Sequence, residues 1–224
     1  MYATEEGIKN VNKQDCICLA QYLFPGETRR RVVAELLRTA SGSKRICRMK
    51  FNEREYAQDV CLQVHKDKIL LTGLTEEEDF RCELKEPAEM KRACYYLFNC
   101  FERAQSRKPS APAVFLSRRS YEEIHEKAGT WTLCVLAASL EAETGDPDSS
   151  AELAKVLKNR TASGELRLCA KNGEGWTLQQ ISYIEASSGG WVLRSSSEQD
   201  DGYIIAFPLT RAELCHAFGE WLLY

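Results

Sequence analysis

The sequence predicts an α+β fold that contains two copies of one unit, each with helices, a small antiparallel sheet and a closing helix. The first observation is an internal repeat, because residues 38–47 return as residues 160–169 with seven of ten positions identical at an offset of 122. The second is that the same offset continues downstream, where it aligns Leu62 with Ile184, Ile69 with Trp191 and Leu71 with Leu193. Two copies at so long a period indicate a duplicated domain half, which predicts two halves related by a pseudo-twofold axis.

The first copy is predicted to place two helical segments before its strands. An apolar segment, residues 17–24, stops at Pro25-Gly26, which is a strong turn signal. A second helix follows, since apolar residues at positions 32, 33, 36 and 37 share one helical face. Four strands are predicted after it, at residues 46–49, 60–64, 69–72 and 80–84. Pro87 suits the first turn of the closing helix.

The second copy opens with three predicted helices. Ser120 and Glu123 have capping-box spacing and predict the start of the first helix. Residues 131–142 are apolar on nearly all sides, which predicts a central helix packed by several neighbours. Ser149 and Glu152 form a second capping box, and Ser163-Gly164 is predicted to lie at the end of the helix that follows.

Strands and a last helix complete the second copy. The predicted strands are residues 166–170, 176–178, 181–186, 191–194 and 203–207. Residues 187–190 make the turn of a hairpin, and Thr210 with Glu213 forms the capping box of the last helix. Prolines among small and basic residues mark a linker. The predicted organisation is a first repeat at residues 1–106, a linker at 107–119 and a second repeat at 120–224.

Composition narrows the function classes. A formal charge of −3 argues against nucleic acid or an anionic membrane as a partner. The longest apolar run, residues 133–138, is too short for a membrane span, and no secretory signal is visible, which together predict a cytoplasmic protein. Ten cysteines without a Cys-x-x-Cys pair are expected to be thiols, mostly buried, and no metal or cofactor is predicted.

The sequence contains no motif of a known catalytic site, so an enzyme is not expected. Two acidic segments at equivalent places in the two copies are solvated loops or the tips of a partner-binding surface. Trp176 either packs in the core or anchors a protein interface. The candidate partner-binding residues are therefore Glu76, Glu77, Glu78, Asp79, Trp176, Glu198, Asp200 and Asp201.

Two such halves, each with a helix, a twisted antiparallel sheet and a closing helix, resemble the EspG family of type VII secretion-associated proteins. The resemblance lies in the architecture and covers nearly the whole chain, and it carries no binding residue across. It implies a non-enzymatic cytosolic chaperone or adaptor that holds a small helical secretion substrate. Two alternatives stay open from the residues alone: a small-molecule or enzymatic module with a pocket between the halves, and a purely structural dimer.

Overall fold

The computed structural model describes residues 19, 21–25, 42–66, 68–74, 81–100, 112–173, 175–195 and 202–223. The strands are β1 (Arg45–Glu53), β2 (Tyr56–Val64), β3 (Ile69–Gly73), β4 (Arg81–Leu84), β5 (Val114–Ser117), β6 (Ala162–Asn172), β7 (Gly175–Ala186), β8 (Gly189–Ser195) and β9 (Tyr203–Pro208). The helices are α1 (Pro87–Leu97), α2 (Arg118–Lys127), α3 (Leu133–Thr144), α4 (Pro147–Lys158) and α5 (Arg211–Leu223). The predicted α+β class is confirmed.

The strands form one antiparallel sheet in the order β4-β3-β2-β1-β6-β7-β8-β9-β5. Four strands of the first predicted copy are followed by four strands of the second in mirrored order, with β5 added at the end. The paired hairpins differ in register: Leu62 pairs with Leu71, whereas Ile184 pairs with Trp191 and not with Leu193. A shift of two residues keeps every side chain on its face of the sheet. The duplication itself stays a prediction.

The predicted linker contains a strand. Val114–Ser117, within the segment assigned as linker, forms β5 and pairs with β9. The next helix also starts earlier than predicted, because the hydroxyl of Ser117 caps it by accepting from the backbone N–H of Ser120 at 3.1 Å. The predicted capping box of Ser120 and Glu123 is therefore wrong, and Glu123 pairs with Lys127 at 2.5 Å instead.

Three other boundaries differ from the prediction. Residues 176–178 and 181–186 belong to one continuous strand, β7. Asp146 caps α4 in place of the predicted Ser149, with Pro147 at the first helical position, where its missing N–H costs nothing. Gly164 lies inside β6 and not at a helix end. A Cβ there would stand 3.1 Å from the Phe51 ring, so the close approach of the two chains explains the glycine.

Two local predictions are confirmed, although the hairpin has a shorter turn than the predicted residues 187–190. The hairpin of β7 and β8 turns at Ser187-Ser188, since Ala186 pairs with Gly189. The capping box of α5 is present in both directions: the carboxylate of Glu213 accepts from the Thr210 N–H at 2.9 Å, and the Thr210 hydroxyl accepts from the Glu213 N–H at 3.2 Å. Both signals act between residues close in sequence, which is why they could be predicted.

The chain divides into two compact units. The first contains Met1–Met49, Asp59–Met90 and Leu166–Gln179. Its described core includes Leu19, Leu23, Phe24, Ile46, Cys61 and Cys169. The buried Arg48 guanidinium is satisfied there by the Asp59 carboxylate at 2.7 and 2.9 Å and by the Leu23 carbonyl at 3.1 Å. This pairing lets a charged residue lie at 5% exposure.

The second unit contains Lys50–Gln58, Lys91–Glu165 and Gln180–Tyr224. Its main core lies between one face of β5, β7, β8 and β9 and the helices α2, α3 and α4. A second group of aromatic side chains stacks edge to face, with the Phe98 ring 5.5 Å from Phe218 and 5.9 Å from Phe51. The core cluster thus shows that one face of β5, β7, β8 and β9 packs against α2, α3 and α4.

The central helix of the α2–α4 layer is α4 and not α3. Six residues of α4 are buried, namely Ser149, Ser150, Leu153, Ala154, Val156 and Leu157. In α3 only Leu136 and Leu140 are buried. The expectation that residues 131–142 form a helix packed on all sides is thus wrong, because Leu133, Cys134, Val135, Ala138 and Ala142 of this segment are exposed.

Candidate partner-binding surface

Large apolar side chains are exposed in only one of the two units, among the residues that the structure describes. They are Tyr96, Phe115, Leu133, Val135, Tyr203 and Leu223. All six belong to the second unit. Isolated exposed apolar residues are ordinary, but adjacent ones mark interaction surfaces. One pair is adjacent here, Phe115 with Tyr203 on neighbouring strands, and Val135 lies at the start of an exposed side of α3.

The outward side of α3 forms a continuous apolar strip. We define the α3 face as Cys134, Val135, Ala138 and Ala142, all of which are exposed. Their spacings of three and four residues place them along one side of the helix. Val135 is 44% exposed. Apart from Val135 the side chains of the strip are small, so another helix could approach it closely.

The position of α3 is fixed at its first residues. The Lys158 ammonium group, at the end of α4, donates to the carbonyls of Ala128, Gly129 and Trp131 at 3.2, 2.9 and 2.7 Å. It thereby ties α4 to the loop that leads into α3. The hydroxyl of Thr132 caps α3 by accepting from the Val135 N–H at 3.4 Å. These contacts hold the exposed first turn in place without covering it.

The other end of α3 is fixed by a turn and a hydrogen bond. Gly145 ends the helix in the left-handed conformation, with a φ of 70° that favours glycine. The hydroxyls of Thr144 and Ser150 then lie 2.8 Å apart, which links the end of α3 to the buried side of α4. The α3 face is therefore presented on a helix that is anchored at both ends.

The charged side chains of α3 itself have one sign. The helix carries Glu141 and Glu143 and no basic residue. Both carboxylates are exposed near its C-terminal end, and Asp148 follows in the first turn of α4. A complementary partner would present an apolar strip with basic residues at one end.

The predicted site residues are placed differently. Seven of them lie in residues 75–80 and 196–201, outside the described residues: Glu76, Glu77, Glu78, Asp79, Glu198, Asp200 and Asp201. Trp176 is half-buried and packs against the core cluster of the first unit. Trp176 belongs to the first unit, whereas α3 belongs to the second. Sequence reasoning missed this surface, although the apolar run of residues 133–138 was its signal.

In the second unit, the Arg211 guanidinium forms ion pairs with two carboxylates, those of Glu53 and Glu185. The Arg211 guanidinium donates to both Glu53 oxygens at 2.7 and 2.8 Å and to Glu185 at 2.7 Å. The Asn99 amide adds a bond to Glu53 at 3.0 Å. The hydrogen bonds from Arg211 hold the pKa of the Glu53 carboxyl below its ordinary value, despite partial burial. This arrangement keeps the carboxylate ionised and joins β1, β7 and α5.

Burial favours the neutral form of the thiols of Cys61, Cys94 and Cys215. Burial raises the pKa of Cys94 to about 11 and that of Cys61 to about 12. Of the cysteines that the structure describes, only Cys82 and Cys134 are exposed. In the same described ranges, no cluster of three or more metal-ligating side chains occurs. Within them, too, no helix has the length and apolar character needed to span a membrane.

Comparison with known proteins identifies a fold. No family model matches the chain, and no curated protein matches it in sequence. The chain is similar to a solved structure of the Mycobacterium tuberculosis type VII secretion system chaperone EspG5 in complex with a PE25–PPE41 dimer. The TM-score is 0.55 at 10% sequence identity, over 94% of this chain and 83% of that chain. A likeness at this identity shows a shared fold.

Proposed function

We propose that the protein is a cytoplasmic, non-enzymatic chaperone or adaptor that holds a helical protein partner on the α3 face. The observation that carries the proposal is that α3 is apolar along its outward side while burying only Leu136 and Leu140. An apolar helix face that a folded unit leaves exposed is suited to a partner that covers it. The partner is proposed to be a small helical substrate of type VII secretion.

Helix-on-helix packing fits the shape of this surface. The alanines at 138 and 142 leave a shallow strip between larger side chains, and helix axes approach to about 8–10 Å when contact residues are small. Covering an apolar side chain completely is worth about 1.5–3 kcal/mol relative to leaving it exposed. Since Val135 is 44% exposed, a good part of this gain is still available to a partner.

The structural neighbour supports the class of function. It is described as a chaperone and was solved with a protein dimer bound. That description belongs to the neighbour, and here it supports a role in holding a protein partner. The acidic residues 76–79 and 198–201 and Trp176 remain proposed as additional partner contacts.

The test is a comparison of two matched variants. Ala138→Glu places a charge in the middle of the α3 face, whereas Ala217→Glu places the same charge at an exposed alanine of α5. Tagged wild-type and variant proteins would be expressed in the native cell, and bound proteins identified by mass spectrometry. We expect a helical protein that is recovered with wild type and Ala217→Glu but lost with Ala138→Glu.

Two results would contradict the proposal. One is a partner set that Ala138→Glu leaves unchanged while both variants remain folded by circular dichroism. The other is a partner lost with Ala138→Glu whose purified form is not helical by the same measurement. In that case the α3 face binds a protein of a different kind.

A further inference from the structure

The two ends of the nine-stranded sheet differ in how they are protected. The terminal strand β4 carries Arg81 and Glu83, and Glu83 pairs at 2.9 Å with Lys68, the residue that precedes β3. The terminal strand β5 has the sequence Val-Phe-Leu-Ser and no charge. Proteins usually place charges on edge strands to prevent pairing with another chain. In the described part of the chain, β5 ends the sheet without this protection.

The side chains of β5 alternate between the core and an exposed face of the sheet. Val114 and Leu116 point into the core of the second unit and are 4% and 1% exposed. Phe115 points to the opposite face and is 60% exposed. Because Ser117 pairs with Tyr203 and Phe115 with Ile205, Phe115 and Tyr203 are diagonal neighbours on that face. Tyr203 is 58% exposed, so two exposed aromatic side chains lie on this face, next to the last strand of the sheet among the described residues.

We propose that β5 pairs with β5 of a second copy of this chain, antiparallel, about a twofold axis that passes through Phe115. This proposal does not depend on the proposed chaperone function. The chain would then form a dimer with a sheet that continues from one copy into the other. The occupant of the edge is the same strand, as in any self-complementary twofold interface.

The register follows from the two faces of the strand. Residues directly opposite each other in an antiparallel pair lie on the same face of the sheet. With Phe115 opposite the partner's Phe115, Val114 lies opposite the partner's Leu116, so buried residues meet buried ones. A shift of one residue would set the exposed phenylalanine against a core leucine. The proposed register also places the two Phe115 side chains opposite each other, with Tyr203 of each copy as the diagonal neighbour of its own Phe115.

Charge does not oppose this arrangement. The nearest basic residue is Arg118, three positions beyond Phe115 at the start of α2. Its counterpart lies equally far in the other direction, so the two backbones at these positions are separated by about 20 Å at 3.3 Å per residue. This distance exceeds the Debye length of about 8 Å at physiological ionic strength. With four residues per strand the interface is small, and we expect a weak, concentration-dependent dimer.

The first test measures self-association of the purified full chain. Sedimentation velocity over a concentration series into the millimolar range should show a shift from monomer to dimer. Phe115→Lys should abolish the dimer, because it sets two ammonium groups against each other at the axis. Cys82→Lys, at an exposed position of β4, should leave the dimer unchanged. Circular dichroism of each variant shows that it is folded.

The second test fixes the register by crosslinking. In a background in which the exposed Cys82 and Cys134 are replaced by serine, Phe115→Cys should form a disulfide-linked dimer on mild oxidation with diamide. Opposed residues of an antiparallel pair have Cα atoms about 4.5–5.5 Å apart, within the range of a disulfide. Tyr203→Cys is the matched control, since three strand spacings and an offset of four residues along the strands place its counterpart about 20 Å away. The background protein without either added cysteine is the control that measures crosslinking through the remaining cysteines.

Each other outcome overturns the proposal. A protein that stays monomeric at every concentration means that the edge is free or is held by another segment or a different protein. A dimer that survives Phe115→Lys means that the copies meet elsewhere. Equal crosslinking of the variants at 115 and 203, or none at 115, excludes the proposed axis.

Discussion

The neighbouring helices α3 and α4 show that composition does not decide which helix is central. Both have 12 residues. The sequence of α3 is almost free of polar residues up to Leu140, yet only two of its residues are buried. The sequence of α4 begins Pro-Asp-Ser-Ser, yet six of its residues are buried. Burial is therefore set by the elements packed around a helix, and an apolar helix with few neighbours becomes a surface.

Local hydrogen bonds allow the polar start of α4 to be buried. The Ser149 hydroxyl donates to the Asp146 carboxylate at 2.9 Å, and the Ser150 hydroxyl lies 2.8 Å from that of Thr144. Buried hydroxyls that are paired in this way avoid the cost of desolvation. The residues that look polar in the sequence are thus satisfied inside the layer, while the apolar residues of α3 have no such requirement.

The largest predicted effect separates the two helices by stability. Leu153→Ala in α4 removes a fully buried side chain and should lower the free energy of unfolding by about 2–5 kcal/mol. Val135→Ala on the α3 face should change it by no more than about 0.5 kcal/mol. Urea denaturation followed by circular dichroism measures both. Similar losses for the two variants would mean that the α3 face is covered in the protein alone.

The capping residues of α3 and α4 should also differ in how their contribution to stability depends on pH. Hydrogen bonds from the backbone and side chain of Ser149 lower the pKa of Asp146 below its ordinary value of 3.8. A carboxyl with a lowered folded pKa stabilises the protein above its unfolded pKa, and this stabilisation is lost as the pH falls through the folded value. Asp146→Ala should therefore destabilise the protein at neutral pH, and its difference from wild type should shrink below pH 3.8.

Thr132→Ala is the control for the cap of α3. Its hydroxyl accepts a longer hydrogen bond, at 3.4 Å, and does not titrate in this range. The variant should have a smaller effect than Asp146→Ala at neutral pH, and an effect that is the same at all pH values. Thermal unfolding midpoints of the three proteins over a pH series test this. A constant difference for Asp146→Ala would show that its charge does not contribute.

The parts of the fold that were predicted correctly depend on neighbours in sequence. The hairpin turn at Ser187-Ser188 and the cap of Thr210 and Glu213 are examples. Strand β5 could not be predicted, because its four residues follow a proline-rich segment and pair with Tyr203–Pro208, far along the chain. The α3 face was missed because its exposure depends on which elements pack around α3. That packing joins residues far apart in the sequence, so the apolar pattern of residues 133–138 does not show it.

Cysteine reactivity gives the finest comparison, because it reports exposure at single residues. Cys134 lies on the α3 face, whereas Cys94 is buried, with a pKa raised to about 11. Since the thiolate is the reactive form, a maleimide should label Cys134 in the folded protein and label Cys94 only after unfolding. Peptide mass spectrometry over time measures both rates, with Cys82 as an exposed control outside the second unit.

A bound partner sharpens this measurement. If a helix covers the α3 face, labelling of Cys134 should slow when the partner is added, while labelling of Cys82 should not change. Equal protection of both thiols would indicate a general change in the protein and not a local contact. Fast labelling of Cys94 in the folded protein would show that the core beside α5 opens readily, since its sulfur lies against Gly219 of that helix.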